Sequence, residues 1–120
     1  MQNLNSKFKT NLVERCYKFS IAVIELTNNL PNKRSAWVIT DQLIRSATSI
    51  GANIVEAKAS SSRREFKNFY QISLKSSNET IYWLNLLRDT KLTEVSPSIL
   101  QEAIELSRML GASVISLKKS

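Results

Sequence analysis

Apolar residues recur at steps of three and four positions through nearly the whole chain, and three short clusters interrupt the pattern. The clusters are residues 28–32, residues 60–62 and the pair Ser96-Pro97. Steps of three and four describe one face of an α-helix, and clusters rich in Asn, Ser and Pro are typical of turns. The spacing therefore predicts four amphipathic helices joined by short connections.

The first two segments differ in the width of their apolar faces. The second predicted helix runs from about Ser35 to Lys58 and carries a narrow seam at Leu43, Ala47, Ile50, Ile54 and Ala57. The first has a broad stripe that we expect to be buried, at Phe8, Leu12, Cys16, Phe19, Val23, Leu26 and Leu30, widened by Tyr17, Ile21 and Ile24. A cysteine in the middle of such a stripe is expected to be an inert core residue.

The last two segments carry local signals for their first turns. Ser62 is the expected N-cap of the third helix, with Glu65 three positions later to complete a capping box. Ser96 is the expected N-cap of the fourth helix and Pro97 its first residue. Small residues on the second and third helices predict a close approach of the two backbones, at Ser46, Ala47 and Ser49 facing Ser73, Ser76 and Ser77.

Four such segments predict an all-α fold, an antiparallel up-down-up-down four-helix bundle. With 120 residues the chain is one domain, residues 1–120, and its longest dimension is expected to be roughly 35 Å.

Composition excludes several kinds of active site. The chain has one Cys and no His, so it offers no imidazole base, no His-bearing zinc site and no disulfide within the chain. Its two glycines, Gly51 and Gly111, are too far apart to form a phosphate-cradling loop. We therefore expect a protein without enzymatic activity, metal or cofactor.

The same composition bears on localisation. No apolar run approaches the roughly 20 residues that span a bilayer, and the first residues lack the apolar run of a signal peptide. We expect a cytoplasmic protein with no membrane partner.

A polar line follows the seam of the second helix, and it consists of Gln42, Arg45, Ser49, Asn53 and Glu56. Glu79 falls in an otherwise apolar or small stripe of the third helix, where its carboxylate needs a partner, and the planar guanidinium of Arg45 suits that role. We predict a partly buried structural network of Gln42, Arg45, Asn53, Glu56 and Glu79. Two alternatives stay open: a solvated face, and Glu56 with Glu79 as an acid/base pair or as metal ligands.

Charge is the strongest functional signal in the chain. It has 17 Lys and Arg against 10 Asp and Glu, which gives a formal charge of +7. The predicted topology gathers cations from distant segments at one end of the bundle: Lys58, Arg63, Arg64, Lys67, Lys118 and Lys119, together with Lys7 and Lys9. Arg63 and Arg64 lie in the first turn of a helix, where the dipole disfavours positive charge. A bound polyanion would explain them, although solubility alone could account for a mildly basic surface.

The aromatic residues divide into two groups. Tyr70, Trp83, Trp37 and Phe69 are expected in the core, as aromatics at helical spacing usually are. Tyr82 lies on a stripe that should face water, so it could stack on a base or pack against another subunit.

The second and third segments also carry a recognisable motif, and its matching residues are Gln42, Leu43, Arg45, Ser49, Ile50, Asn53, Ile54, Glu56, Ser76 and Glu79. In this motif the chain resembles a bacterial four-helix bundle family. That family includes proteins encoded in intervening sequences of large-subunit ribosomal RNA genes and the accessory variability protein of diversity-generating retroelements. Ser46 replaces the usual Ala, and Ala57 stands where Gly commonly follows the Glu, which predicts a second helix that continues slightly further.

The resemblance implies a homopentamer, nucleic-acid binding through basic surface and no enzymatic activity. It also implies ribosomal RNA or, for the retroelement branch, a reverse transcriptase as a partner. We therefore predict a non-catalytic oligomeric bundle that binds RNA or DNA backbones through Arg63, Arg64 and Lys67, supported by Lys58, Lys118 and Lys119. The alternative is a structural or adaptor protein that acts through protein contacts.

Overall fold

The computed structural model describes the backbone of residues 4–119 and the side chains of residues 12–119. It contains four α-helices, which are α1 Leu4–Thr27, α2 Arg34–Lys58, α3 Arg63–Asp89 and α4 Pro97–Lys118. The described residues form no strand, so the prediction of an all-α, four-helix fold is confirmed. Leu30 still packs against the core, although α1 ends at Thr27.

Serine side chains cap two of the helices at the predicted positions. Ser62 Oγ accepts the N–H of Glu65 at 3.1 Å, and Ser96 Oγ accepts the N–H of Ile99 at 3.3 Å. The capping box of α3 differs from the prediction in its second half. In a capping box the carboxylate accepts from the N–H of the N-cap residue. The Glu65 carboxylate instead accepts from the residue before the cap, Ser61, from its N–H at 3.0 Å and from its hydroxyl at 2.7 Å.

Small hydroxylated residues form the contact between α2 and α3. Thr80 Oγ1 donates to Ser46 Oγ, and Ser76 Oγ donates to Ser49 Oγ, each at 2.9 Å. From the first of these pairs to the second, the residue number falls on α3 and rises on α2, so these two helices are antiparallel. Ser46 and Thr80 are fully buried, and their hydroxyls find partners in each other and in backbone carbonyls of their own helices, where longer side chains would hold the backbones apart.

The core lies between all four helices, because each helix packs against the next and α4 also touches α1. Its largest fully buried side chains come from α1, α2, α3 and α4 alike, and include Val23, Leu43, Ile50, Ile54, Leu84, Leu87, Leu106 and Leu110. The molecule measures 46 × 30 × 21 Å. It is longer than expected because α3, with 27 residues, alone spans about 40 Å.

The apolar face of α1 is narrower than predicted. Leu12, Cys16, Phe19 and Val23 are buried, but Tyr17, Ile21 and Ile24 are exposed. The prediction of a broad buried face is wrong for these three residues, because α1 has a neighbour on only two sides, α2 and α4. Phe8 lies outside the described side chains.

None of the helices within residues 4–119 combines the length and apolar character needed to cross a membrane.

Candidate nucleic-acid interface

The connection between α2 and α3 brings cations from both helices together. It is four residues long, from 59 to 62, and it follows directly on Lys58, the last residue of α2. Arg63 and Arg64 are the first two residues of α3. Lys58, Arg63 and Arg64 are exposed, and Lys67, one turn further along α3, is half-buried.

The end of α4 lies at the same level along the bundle axis as the start of α3. Ser107 Oγ donates to Asn78 Oδ1 at 2.7 Å, and a Cβ on Gly111 would meet Leu74 Cδ1 at 4.0 Å. From the first contact to the second, the residue number rises by four on α4 and falls by four on α3, so the two helices are antiparallel. The same register, continued for two turns, places Lys118 at the height of Lys67.

We call this end of the molecule the basic pole, defined by Lys58, Arg63, Arg64, Lys67, Lys118 and Lys119. Lys118 and Lys119 are both exposed. The side chains of Lys7 and Lys9, which were assigned to the same end, lie outside the described residues.

A shallow depression runs along the first two turns of α3 inside the basic pole. It is lined by three cations, one carboxylate and two amides, namely Arg63, Arg64, Lys67, Glu65, Asn68 and Gln71. The pKa of Glu65 is lowered by two hydrogen bonds from Ser61. The bond from the Ser61 hydroxyl has the larger effect and the bond from its N–H the smaller one. That carboxylate is therefore ionised and engaged in the helix cap, and the depression keeps an excess of positive charge.

The backbone of α3 adds to this positive charge. The first N–H groups of a helix have no partner within the helix, and the helix dipole places partial positive charge there. An anion at the start of α3 would lie near both these N–H groups and the first two arginines of the helix. A phosphate group has the charge and the acceptor oxygens to use both.

Arg45 forms the centre of the polar network between α2 and α3. Its Nη2 pairs with Glu79 Oε2, and its Nη2 and Nε donate to Gln42 Oε1 at 2.8 and 3.1 Å. Glu79 Oε2 also accepts from Trp83 Nε1 at 2.8 Å. Sequence reasoning placed Trp83 in the core and missed this contact, which the four-residue spacing of Glu79 and Trp83 on one helix could have indicated.

The other two members assigned to the network lie apart from it. Asn53 Nδ2 donates to the carbonyl oxygen and the hydroxyl of Ser49, at 2.8 and 2.9 Å. The side chain of Glu56 is exposed and makes no hydrogen bond or ion pair with any described residue. The structure thus joins Gln42, Arg45 and Glu79, and leaves Asn53 and Glu56 outside.

The Arg45–Glu79 pair is also more exposed than predicted. The side chains are 56% and 36% exposed, respectively. The close approach of α2 and α3 at Ser46 and Thr80 leaves no room for long side chains between the helices, so Arg45 and Glu79 meet at the rim. We predicted a partly buried network, but the Arg45–Glu79 pair at its centre lies at the surface.

Exposure of the aromatic residues follows the prediction in part. Tyr70, Trp83 and Phe69 are partly buried, whereas Trp37 is exposed near the start of α2, where we expected a core residue. Tyr82 faces solvent as expected, with 60% of the residue exposed. Its ring meets the ring of Trp83 edge-on, with centroids 5.0 Å apart and an interplanar angle of 77°.

Among the described residues, no three His, Cys, Asp or Glu side chains are grouped in a way that could hold a metal ion.

Comparison with known families decides what the chain belongs to. The model of the 23S rRNA-intervening sequence protein family matches residues 9–112. The chain belongs to this family. The match confirms the resemblance carried by the Gln42 to Glu79 motif, and it contains Arg63, Arg64 and Lys67 of the basic pole. Lys118 and Lys119 lie beyond the matched residues.

A solved structure supports the same assignment. A crystal structure of a protein of unknown function from the S23 ribosomal protein family of Bacteroides thetaiotaomicron matches this chain with a TM-score of 0.78 and 34% identity. The match covers 88% of this chain and 96% of that one. A comparison with curated proteins gives no match.

Proposed function

We propose that this member of the 23S rRNA-intervening sequence protein family is a non-catalytic, homo-oligomeric, up-down-up-down four-helix bundle of the cytoplasm. It binds the sugar-phosphate backbone of RNA or DNA through the basic pole. The observation that carries the proposal is the grouping of Arg63, Arg64 and Lys67 around one depression along the first two turns of α3.

The position of the two arginines favours a bound anion over a role in solubility. Positive charge in the first helical turn costs roughly 0.3 to 1 kcal/mol per residue at low salt. Arg63 and Arg64 both occupy that turn. Phosphates bound there would reverse the sign of this contribution, because each would interact favourably with the guanidinium groups and with the N-terminus of α3.

An exposed apolar groove between α1 and α2 supports self-association. It is lined by Val13, Tyr17, Ser20, Ile21, Ile24, Thr48, Gly51, Ala52 and Val55, and none of these described side chains is charged. A contiguous apolar surface of this kind is typical of a protein interface. The family resemblance favours a homopentamer, which would place about +35 on one particle and strengthen weak phosphate contacts through multivalency.

The family name favours RNA, with ribosomal RNA as the first candidate. A reverse transcriptase that itself binds RNA is a second candidate partner, which follows from the resemblance to the retroelement accessory protein. The apolar groove also supports an alternative function, in which the protein is an adaptor whose partner is another protein.

The absence of a catalytic role is part of the proposal. The sequence contains no His, and Glu79 is held by Arg45 and Trp83 in an ion pair and a hydrogen bond. Glu56 belongs to a separate part of α2 and shares no contact with Glu79 among the described residues. This arrangement supports a structural role for the Glu79 carboxylate.

The test is binding of labelled RNA and DNA, single-stranded and duplex, to the wild type and to the variant Arg63→Glu/Arg64→Glu across a salt series. The matched control is Lys33→Glu/Arg34→Glu, which makes the same charge change around the first residue of α2. We expect affinity to fall steeply with salt, and binding to be lost in the first variant and largely kept in the control. Equal losses in both variants would assign binding to net charge alone, and no binding at low salt would favour the adaptor function.

A further inference from the structure

The outer face of α3 carries a continuous line of polar and aromatic side chains. Their positions step by four, three, four, three and four, so they lie along one side of the helix. All six are exposed. We call this line the α3 ridge, defined by Arg64, Asn68, Gln71, Lys75, Asn78 and Tyr82.

The chemistry of the α3 ridge is that of a nucleic-acid surface. It contains two cations, three amides, one phenol and no carboxylate. It begins in the basic pole at Arg64 and ends 18 residues later at Tyr82, which corresponds to about 27 Å of helix. Asn78 accepts a hydrogen bond from Ser107 through Oδ1, so its amide group is oriented with its nitrogen available as a donor.

Tyr82 is held in a defined orientation at the end of the α3 ridge. Its ring is in near-perpendicular contact with the ring of Trp83, and Trp83 is itself fixed by the hydrogen bond from Nε1 to Glu79. Arg45 in turn pairs with Glu79. The surface network therefore orients an exposed aromatic ring, and a ring that is already oriented loses little conformational freedom on binding.

We infer that the α3 ridge binds single-stranded nucleic acid, with phosphates at Arg64 and Lys75, base edges at the amides and one unpaired base stacked on Tyr82. The inference rests on the proposed function and specifies its substrate class. Within a duplex both faces of each base are covered by neighbouring pairs, so an exposed aromatic ring suits an unpaired base. A strand that enters at the basic pole can follow α3 to Tyr82 without meeting an acidic side chain of the ridge.

The experiment compares three probes of equal length: a labelled 12-nucleotide RNA, the same RNA paired with its complement, and a chain of abasic deoxyribose phosphates. The variants are Tyr82→Ala and Tyr82→Phe, with Trp37→Ala as the control, because Trp37 is a similarly exposed aromatic residue on α2 that does not line the groove between α1 and α2. We expect Tyr82→Ala to weaken binding of the single strand at least about fivefold and to leave the other two probes unchanged. Tyr82→Phe and Trp37→Ala should bind the single strand as the wild type does.

Two further readouts separate stacking from other roles of Tyr82. The salt dependence of single-strand binding should have the same slope in Tyr82→Ala as in the wild type, because a stacked base releases no counterion. Lys75→Gln should reduce that slope by about one unit. Light scattering should give the same particle mass for Tyr82→Ala and the wild type.

Each contrary result has one meaning. If Tyr82→Ala binds the single strand normally while Arg63→Glu/Arg64→Glu does not, the α3 ridge is wrong and the basic pole stands. Equal weakening for all three probes, a loss in Tyr82→Phe as large as in Tyr82→Ala, or a changed particle mass would each overturn stacking on Tyr82. If the wild type binds none of the probes, the inference and the proposed function both fail.

Discussion

Gly51 of α2 lies against Cys16 of α1, so close that a Cβ on Gly51 would be 3.0 Å from Cβ of Cys16. Cys16 is fully buried in the core. A glycine in the interior of a helix costs about 1 kcal/mol relative to alanine. The close contact of the two helices explains why this position of α2 is a glycine. Gly51 also lines the groove between α1 and α2.

Gly51→Ala and Gly111→Ala should change stability in opposite directions. At Gly51 the added methyl group forces α1 and α2 apart, and overpacking of about 1 to 3 kcal/mol exceeds the gain of about 1 kcal/mol in helix propensity. At Gly111 the methyl group would meet Leu74 at an ordinary 4.0 Å, so the gain of roughly 0.5 to 1 kcal/mol should remain. Denaturant titration at one fixed protein concentration measures both. A stabilised Gly51→Ala would contradict the close contact.

Cys16 should be unreactive in the native protein. Burial raises the pKa of its thiol to about 11, from an ordinary value near 9. A thiol reagent at pH 8 is therefore expected to label Cys16 only after denaturant unfolds the chain. The folded state keeps its proton between about pH 9 and 11, where the unfolded state loses it, so this group makes stability fall as pH rises through that window. Cys16→Ala should lack this part of the pH dependence, and rapid labelling of the native wild type would contradict the burial.

Arg45→Met should have a small effect on stability. Its partner Glu79 can be hydrated when the pair is broken, because both side chains are substantially exposed, and an exposed pair contributes about 1 kcal/mol or less. The matched variant is Arg15→Met. The Arg15 side chain is only 26% exposed and binds both carboxylate oxygens of Glu102, at 3.0 and 2.5 Å.

We expect Arg15→Met to lower the free energy of unfolding by about 1 to 3 kcal/mol, because it leaves a half-buried carboxylate without its hydrogen bonds. Denaturant titration of the two single variants, side by side, tests the difference. A loss at Arg45 equal to that at Arg15 would show that the Arg45–Glu79 pair is less hydrated than its exposure indicates.

Ile21→Glu should reduce the size of the oligomer. It places a carboxylate in an apolar groove whose described lining residues are all uncharged, so an approaching subunit would bury the carboxylate without a partner. Ile115→Glu is the control, because Ile115 is an exposed isoleucine on α4, away from the groove. Light scattering of the two variants and the wild type gives the masses directly. Equal masses for all three proteins would exclude the groove between α1 and α2 as the interface between subunits.

The helix boundaries were predictable because their signals are local. Ser62 and Ser96 are capping residues that act within three positions of themselves, and both cap as predicted. The buried seam of α2 was likewise readable, since Leu43, Ile50 and Ile54 keep one helical face. The exposure of Trp37 was not predictable from the sequence. Helical spacing shows which residues share a face, but it does not show whether that face meets a neighbouring helix or solvent.

The candidate site was predictable only in part. Arg45 and Glu79 were paired correctly from the stripe on which each lies, yet their exposure depends on how closely Ser46 and Thr80 allow the helices to approach. The four-residue spacing of Glu79 and Trp83 indicates that their side chains can meet, but the contact between the rings of Trp83 and Tyr82 depends on side-chain rotamers. Asn53 and Glu56 follow the same polar line as Arg45 but find no partner on α3 among the described residues.

The amino-acid sequence alone determined four helices, their caps, the excess of positive charge and the family, because helical periodicity, capping and charge are properties of residues close together in the chain. Only the tertiary structure decided the height of Lys118 beside Lys67, the surface position of the Arg45–Glu79 pair and the exposure of Tyr17, Ile21 and Ile24. Those features depend on the register and distance between helices. Packing sets both quantities through contacts between residues that are far apart in the chain.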